Sequence, residues 1–337
     1  MKKEYRTGTE IKWIPDGFHF LGPEETEKRR KLLGNLHSFF VDRGFLEVKP
    51  PGFDYSSTFY EHVSDTEKGK ILKSRDLDGN EISPSLDLTI QVVKGMSGYK
   101  GKKGSSKVYY TGRIFKDAGR GLGRRREILQ AGAEIIGHSN GNTFKLLLSL
   151  IDEILEKFYI NRKLTIVLGN ILVVSSIFDK LNFTEYQRKL LTGFIYRKDS
   201  FEITQFLKSI EISTDQIQVI VDLLLGFIPG NKVPDELKKL NQDWNLNLEE
   251  TFKETEDILS YCSKMKNLDL CLDYSLVRDM DYYTGFILHG YAGSNSTPVI
   301  TGGAYDILFE KFSVEPKRAC GFAININIFE ELLETVY

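Results

Sequence analysis

Leu32, Leu33, Leu36, Phe39 and Phe40 recur at helical spacing through EETEKRRKLLGNLHSFFVDRG, with charged residues between them and Gly44 just beyond. The spacing predicts an amphipathic helix packed on a core and stopped at the glycine. FLEVKPP then alternates apolar and polar positions until Pro50-Pro51 ends the run, and KILKSRDLDGNEISPS carries an Asp78-Gly79 hairpin signal between two short extended runs. VYYTGRIF and ILQAGAEIIG are β-rich and flank a glycine- and arginine-rich turn. They predict an antiparallel pair from which a long loop projects. From Asn142 to Phe158, Phe144, Leu147, Leu148, Ile151, Leu155 and Phe158 share one helical face, and TIVLGNIL reads as a buried strand.

Between about Asn182 and Lys266 the pattern changes to polar helices with apolar faces (YQRKLLTGFI, DQIQVIVDLLLGFI, EETFKETEDILSYCSKM), broken at IPGNKVP. Strand signals return in DLCLDYSLVRDMDYYTGFILHGYA and TGGAYDILF, and CGFAININIFEELLETVY reads as a strand running into a short terminal helix. The expected class is α+β: an antiparallel sheet flanked by helices over residues 1–181 and 267–337, interrupted by an all-helical insertion at 182–266.

Composition narrows the function. Lys and Arg (45) nearly cancel Asp and Glu (47) to a formal charge of −2, so no global field draws the protein to nucleic acid or anionic lipid, and a basic site must be local. No segment offers the uncharged apolar run of a membrane span or a leader, which predicts a soluble cytoplasmic protein with neither nucleic acid nor membrane as partner. Cys262, Cys271 and Cys320 lack CxxC spacing and read as buried free thiols. The five histidines lack ligand spacing, so neither metal nor other cofactor is expected.

The order of segments resembles the catalytic core of histidyl-tRNA synthetases, class II enzymes that hold ATP and histidine on an antiparallel sheet. GFLEVKPP is similar to motif 1, the family's dimer interface, and LKSRDLDGNEISPSLDLT to the hairpin and loop that hold the substrate's α-amino group. YYTGRIFKDAGRGLGRRREILQAGAEIIG resembles motif 2, LVRDMDYYTG the histidine-specific motif, and TGGAYD the second such motif. The resemblance places Asp87, Thr89, Gln130, Glu134, Arg278, Tyr282, Tyr283 and Tyr305 around histidine. Such a pocket needs a carboxylate for the ammonium, an arginine for the carboxylate, and phenol or carboxyl partners for the imidazole. The plainer alternative is that Glu134 pairs with a neighbouring arginine and the tyrosines pack in a core.

The phosphate side departs from the family pattern. Where the pattern has Phe-Arg-x-Glu, this chain reads Phe115-Lys116-Asp117-Ala118: lysine keeps a point charge but loses the bidentate fork, and Ala118 offers no acceptor. Asn327 and Ile328 stand where motif 3 has Glu-Arg, and Ser85 and Ala304 replace two further arginines. The family's anticodon-binding domain, on the order of 100 residues, finds no room between GFAININIF and Tyr337.

A synthetase-like core altered in this way resembles the regulatory subunits of ATP phosphoribosyltransferase. The resemblance implies a subunit that makes no product by itself. It would join a short-form catalytic subunit in a hetero-oligomeric glycosyltransferase at the first step of histidine biosynthesis, activate that partner, and contribute to feedback inhibition with histidine as effector. It also implies self-association through the motif 1 region as a homodimer. Arg120, Arg124, Arg125 and Arg126 are candidates for contact with the partner subunit or a residual anion, against a merely solvated loop. Two other readings stay open: an enzyme that adenylates an amino acid, which Lys116 keeps alive, and a stand-alone histidine sensor.

Overall fold

The computed structural model describes residues 14–99, 106–117, 125–137, 141–158, 160, 163–226, 228–229, 232–276, 282–293, 296–312 and 317–334. Helix α1 (Pro23–Asp42) begins with proline at its first position and with Glu25 reaching back to the Gly22 N–H at 2.8 Å. It buries Leu32, Leu36, Phe39 and Phe40, and the chain leaves it with the Gly44 N–H donating to the Val41 carbonyl at 2.9 Å. Strand β1 (Leu46–Glu47) is shorter than the alternation predicts, because Pro50 and Pro51 have no N–H to extend a ladder.

A small sheet follows, in the order β2 (Phe53–Tyr55), β4 (Glu81–Pro84), β3 (Ser74–Arg75), with helices α2 (Ser56–Tyr60) and α3 (Asp65–Lys68) between its first two strands in chain order. Its hairpin turns where Asp78-Gly79 predicts. The Asp76 carboxylate accepts from the Asp78 and Asn80 N–H groups at 3.0 and 2.8 Å, and Gly79 takes φ +84°. Helix α4 (Leu88–Gly98) leads to β5 (Ser106–Phe115) and β6 (Glu127–Ile136), paired antiparallel from Ser106–Ile136 to Phe115–Glu127.

Helix α5 (Gly141–Lys157) precedes β7 (Leu164–Asn170). TIVLGNIL is not one strand: the Asn170 side chain accepts from the Leu172 N–H at 3.0 Å and starts α6 (Ile171–Lys180), so a cap divides the apolar run. Helices α7 (Glu185–Tyr196), α8 (Ser200–Ser209) and α9 (Thr214–Leu225) are capped by Thr184, Asp199 and Ser213. The stretch is not purely helical. Gly226 ends α9, and β8 (Ile228–Pro229) joins the sheet edge before α10 (Asp235–Trp244) and α11 (Glu249–Cys262). The chain closes with β9 (Leu268–Leu272), β10 (Phe286–Ala292), β11 (Ile300–Ala304), α12 (Asp306–Phe312), β12 (Ala319–Asn325) and α13 (Ile326–Glu334).

The main sheet runs β1-β5-β6-β12-β11-β10-β7-β9-β8. The six strands from β5 to β7 are antiparallel as expected, but β1 joins β5 and β9 joins β7 in parallel, which makes the sheet mixed. Long connections containing helices precede both parallel partners, as a parallel pairing requires. One sheet face buries Tyr109, Leu129, Ala133 and Ile135 against α1 and α5, in a cluster that also takes in Leu191, Leu207 and Leu224 of the later helices. The other buries Val108, Tyr110, Ile114 and Ile136 against residues of α2, α4 and α12. No helix among the described residues is long and apolar enough to cross a membrane.

At the start of α13 the side-chain Oδ1 of the buried Asn327 accepts from the Leu129 N–H at 2.9 Å, fastening the helix to β6. Asn327→Ala orphans that buried donor and is expected to cost about 2 kcal/mol. The readout is a lowered urea midpoint at unchanged m-value; an unmoved midpoint would show that the bond contributes nothing.

Candidate functional site

The alternation of β6 puts Gln130, Gly132 and Glu134 on the α4 side of the sheet while Leu129, Ala131, Ala133 and Ile135 face the larger cluster. Glu134 is 1% exposed and gathers three hydroxyls. Thr89 and Tyr110 donate to its Oε1 at 2.9 and 3.0 Å, and Tyr305 donates to Oε2. Thr89 and Tyr110 also stand 3.2 Å apart, which closes the network. With about four lone-pair sites on a carboxylate, three donors leave room for one more.

Burial pushes the Glu134 carboxyl up to about 7, although the three hydroxyls each favour its ionised form. Burial likewise holds the phenols of Tyr110, Tyr282 and Tyr305 protonated, well above their ordinary range. Asp87 caps α4 by accepting from the Ile90 N–H at 2.9 Å, and its other oxygen accepts from the Tyr282 hydroxyl at 3.4 Å. Burial raises this carboxyl too, against the help of that backbone bond.

Missing side chains make this density possible. Gly321 of β12 lies opposite Glu134, and a Cβ there would sit 1.5 Å from Glu134 Oε2. Gly132 lies opposite Tyr110, whose ring would be 2.4 Å from a Cβ. The tyrosine can therefore lie across the sheet toward Glu134. Tyr282 packs edge-on to Tyr305 with ring centres 6.0 Å apart, and Tyr283 lies 5.0 Å from Tyr282.

Of the eight residues expected around histidine, Asp87, Thr89, Glu134, Tyr282, Tyr283 and Tyr305 meet in one cluster. Gln130 is half-buried on the same strand face as Glu134, and Arg278 lies outside the described residues. Among the described residues Glu134 pairs with hydroxyls and with no arginine. Tyr110 belongs to the cluster and was not among the expected residues; its signal was the alternation of VYYTGRIF, which sends Tyr109 and Tyr110 to opposite faces.

The phosphate positions are otherwise engaged. Lys116 donates to Glu67 at 2.8 Å, and Ile328 is buried among apolar residues. The Ser85 hydroxyl donates to the Pro51 carbonyl at 2.9 Å. Arg126 pairs with Asp117 at 2.8 Å and Arg125 with Glu331 at 3.2 Å, while Ala118, Arg120 and Arg124 lie outside the described residues. The cluster thus gathers two carboxyls and several hydroxyls in one buried network, while Lys116, Arg125 and Arg126 are each engaged by an acidic side chain of this chain.

Residues 17–328 match the family described as histidyl-tRNA synthetase. An ATP phosphoribosyltransferase regulatory subunit of Leptospira interrogans serogroup Icterohaemorrhagiae is 42% identical over 96% of this chain and 95% of its own. A histidine–tRNA ligase of Methanococcus vannielii is 26% identical over 96% of this chain and 78% of its own. Among solved structures, an ATP phosphoribosyltransferase regulatory subunit/histidyl-tRNA synthetase from Bacillus halodurans C superposes with a TM-score of 0.80 at 21% identity, covering 95% of this chain and 83% of that one.

Proposed function

This chain belongs to the family of ATP phosphoribosyltransferase regulatory subunits, on the histidyl-tRNA synthetase fold, and from that membership we propose the following function. It serves histidine biosynthesis by binding a short-form ATP phosphoribosyltransferase catalytic subunit, activating it, and transmitting inhibition when histidine occupies the cluster around Glu134. The chain itself carries out no amino-acid activation. The observation that carries this reading is the asymmetry of the site. The amino-acid side keeps Asp87, Thr89, Glu134, Tyr282 and Tyr305 within one network, whereas Lys116 is paired with Glu67 and Ile328 points into the core.

Feedback of this kind requires histidine to favour one arrangement of the assembly, with a coupling of typically 1 to 3 kcal/mol. The protein also pairs with itself through the β1 region. In support, a cleft of about 510 Å³ is lined there by Leu46, Val48, Pro50, Val92, Met96 and Tyr99, with Leu46 and Tyr99 each 69% exposed.

Mixing the purified chain with a short-form transferase is expected to raise turnover at least about tenfold, and histidine is expected to lower it again, by roughly 5- to 150-fold in apparent affinity of the coupled site. Histidine-dependent exchange of pyrophosphate into ATP is expected to stay at background. Clear exchange by the chain alone would replace this reading with that of an adenylating enzyme.

A further inference from the structure

The side chain that answers Lys116 comes from a short helix far away in sequence. Glu67 of α3 is 7% exposed and spends both carboxylate oxygens on ammonium groups: Oε2 accepts from Lys116 at 2.8 Å and Oε1 from Lys70. Burial works against its ionisation, yet the two lysines outweigh burial and hold the carboxyl below its ordinary range. The arrangement is fixed by backbone. The Asp117 N–H donates to the Lys70 carbonyl at 2.8 Å, the Phe115 N–H to the Ser85 carbonyl at 2.7 Å, and the Lys116 N–H to the Arg126 carbonyl at 3.0 Å. Ser64 caps α3 on the Glu67 N–H at 3.4 Å. Because the Phe115 N–H donates to the carbonyl of Ser85, two residues before Asp87, Lys116 is anchored to the segment that carries Asp87 into the amino-acid cluster.

We infer that Glu67 is a built-in counter-anion: it occupies, through Lys116 and Lys70, the position a phosphoryl group would need, and makes the pocket one that admits an amino acid while rejecting polyphosphates. This specificity role rests on the reading of the Glu134 cluster as an amino-acid site. A carboxylate bridging two ammonium groups presents them with the same contacts a phosphate would, so a nucleotide must first displace a buried, doubly paired charge. It would gain only the contacts that charge gives up. Loss of the arginine fork is therefore half of the change; the other half is a carboxylate that satisfies what remains.

The test is calorimetric titration of inorganic pyrophosphate, and separately ATP, into the full chain, with histidine titrated into the same preparations and folding checked by thermal melts. The wild-type chain is expected to bind neither polyphosphate at about 1 mM. Glu67→Gln is expected to gain at least about tenfold in pyrophosphate affinity, the size of one freed charge-assisted contact, and Glu67→Gln combined with Lys116→Met to lose it. Glu67→Asp keeps the charge but withdraws it by one methylene, and should gain in part; it decides the matter if the glutamine variant does not fold. A folded glutamine or aspartate variant with no gain overturns the assignment, as does Lys116-dependent polyphosphate binding by the wild type. If no preparation binds histidine while the variant gains pyrophosphate, the amino-acid reading fails and the role of Glu67 stands. If histidine binds and pyrophosphate does not, the reverse holds.

Discussion

Gly321→Ala is expected to destabilise the protein by about 3 kcal/mol and to lower histidine affinity at least about tenfold. The added Cβ would stand 1.5 Å from Glu134 Oε2 and 2.6 Å from the Ala133 carbonyl oxygen, and the second of these atoms is backbone. Swinging Glu134 away does not solve the problem, because Ala133 is held in the β6–β12 pairing that aligns Gly321 with Glu134. Either the ladder opens locally, or Glu134 moves and leaves Thr89, Tyr110 and Tyr305 without their shared acceptor in a buried place. Gly34→Ala in α1 is the matched control. No atom lies within 4 Å of the Cβ position there, so the change should stabilise the protein by up to about 1 kcal/mol. Urea melts and histidine titrations of the two variants check both expectations. A Gly321→Ala protein that melts and binds like the wild type would mean that Glu134 does not need its place over β12.

The framework of this site was legible wherever a single segment carries its own signal. The β-rich runs on either side of the arginine loop became β5 and β6, and the apolar face from Phe144 to Leu155 became α5. Asp78-Gly79 made its hairpin. What periodicity cannot carry is a contact made across the chain. Glu134 meets Thr89 from 45 residues away and Tyr305 from 171, and only the resemblance to a family, not any spacing, brought the three residues together beforehand. Glu67 gave no signal at all. An acid in a short polar helix reads as solvated surface, and its burial depends on Lys116 arriving 49 residues later. The parallel pairings of β1 with β5 and of β9 with β7 escaped for the same reason: alternation marks a strand but not the direction of its neighbour, which is set by the helix-containing connections between them.

Glu134 should also make stability fall as pH rises through neutrality. An unfolded glutamate has its ordinary value of 4.5, whereas in the folded protein the carboxyl is pushed up to about 7. Between these values the folded state holds a proton that the unfolded state has released, so each step up in pH favours unfolding. The contribution is complete below about pH 4.5 and is lost as pH passes 7, and the full difference corresponds to about 3 kcal/mol. Glu134→Gln removes the titration while keeping a planar group that accepts from two hydroxyls and donates to a third, which hydroxyl rotation permits. The variant is thus expected to match the wild type near pH 5 and to exceed it by roughly 2 to 3 kcal/mol at pH 8, in urea melts at several pH values. Gly321→Ala offers an internal check on cause. If displacing Glu134 exposes it to water, the pH dependence should shrink in that variant as well, although its overall stability is lower. Parallel pH profiles for the wild type and Glu134→Gln would show that Glu134 is ionised throughout, and that the three hydroxyls outweigh burial instead of yielding to it.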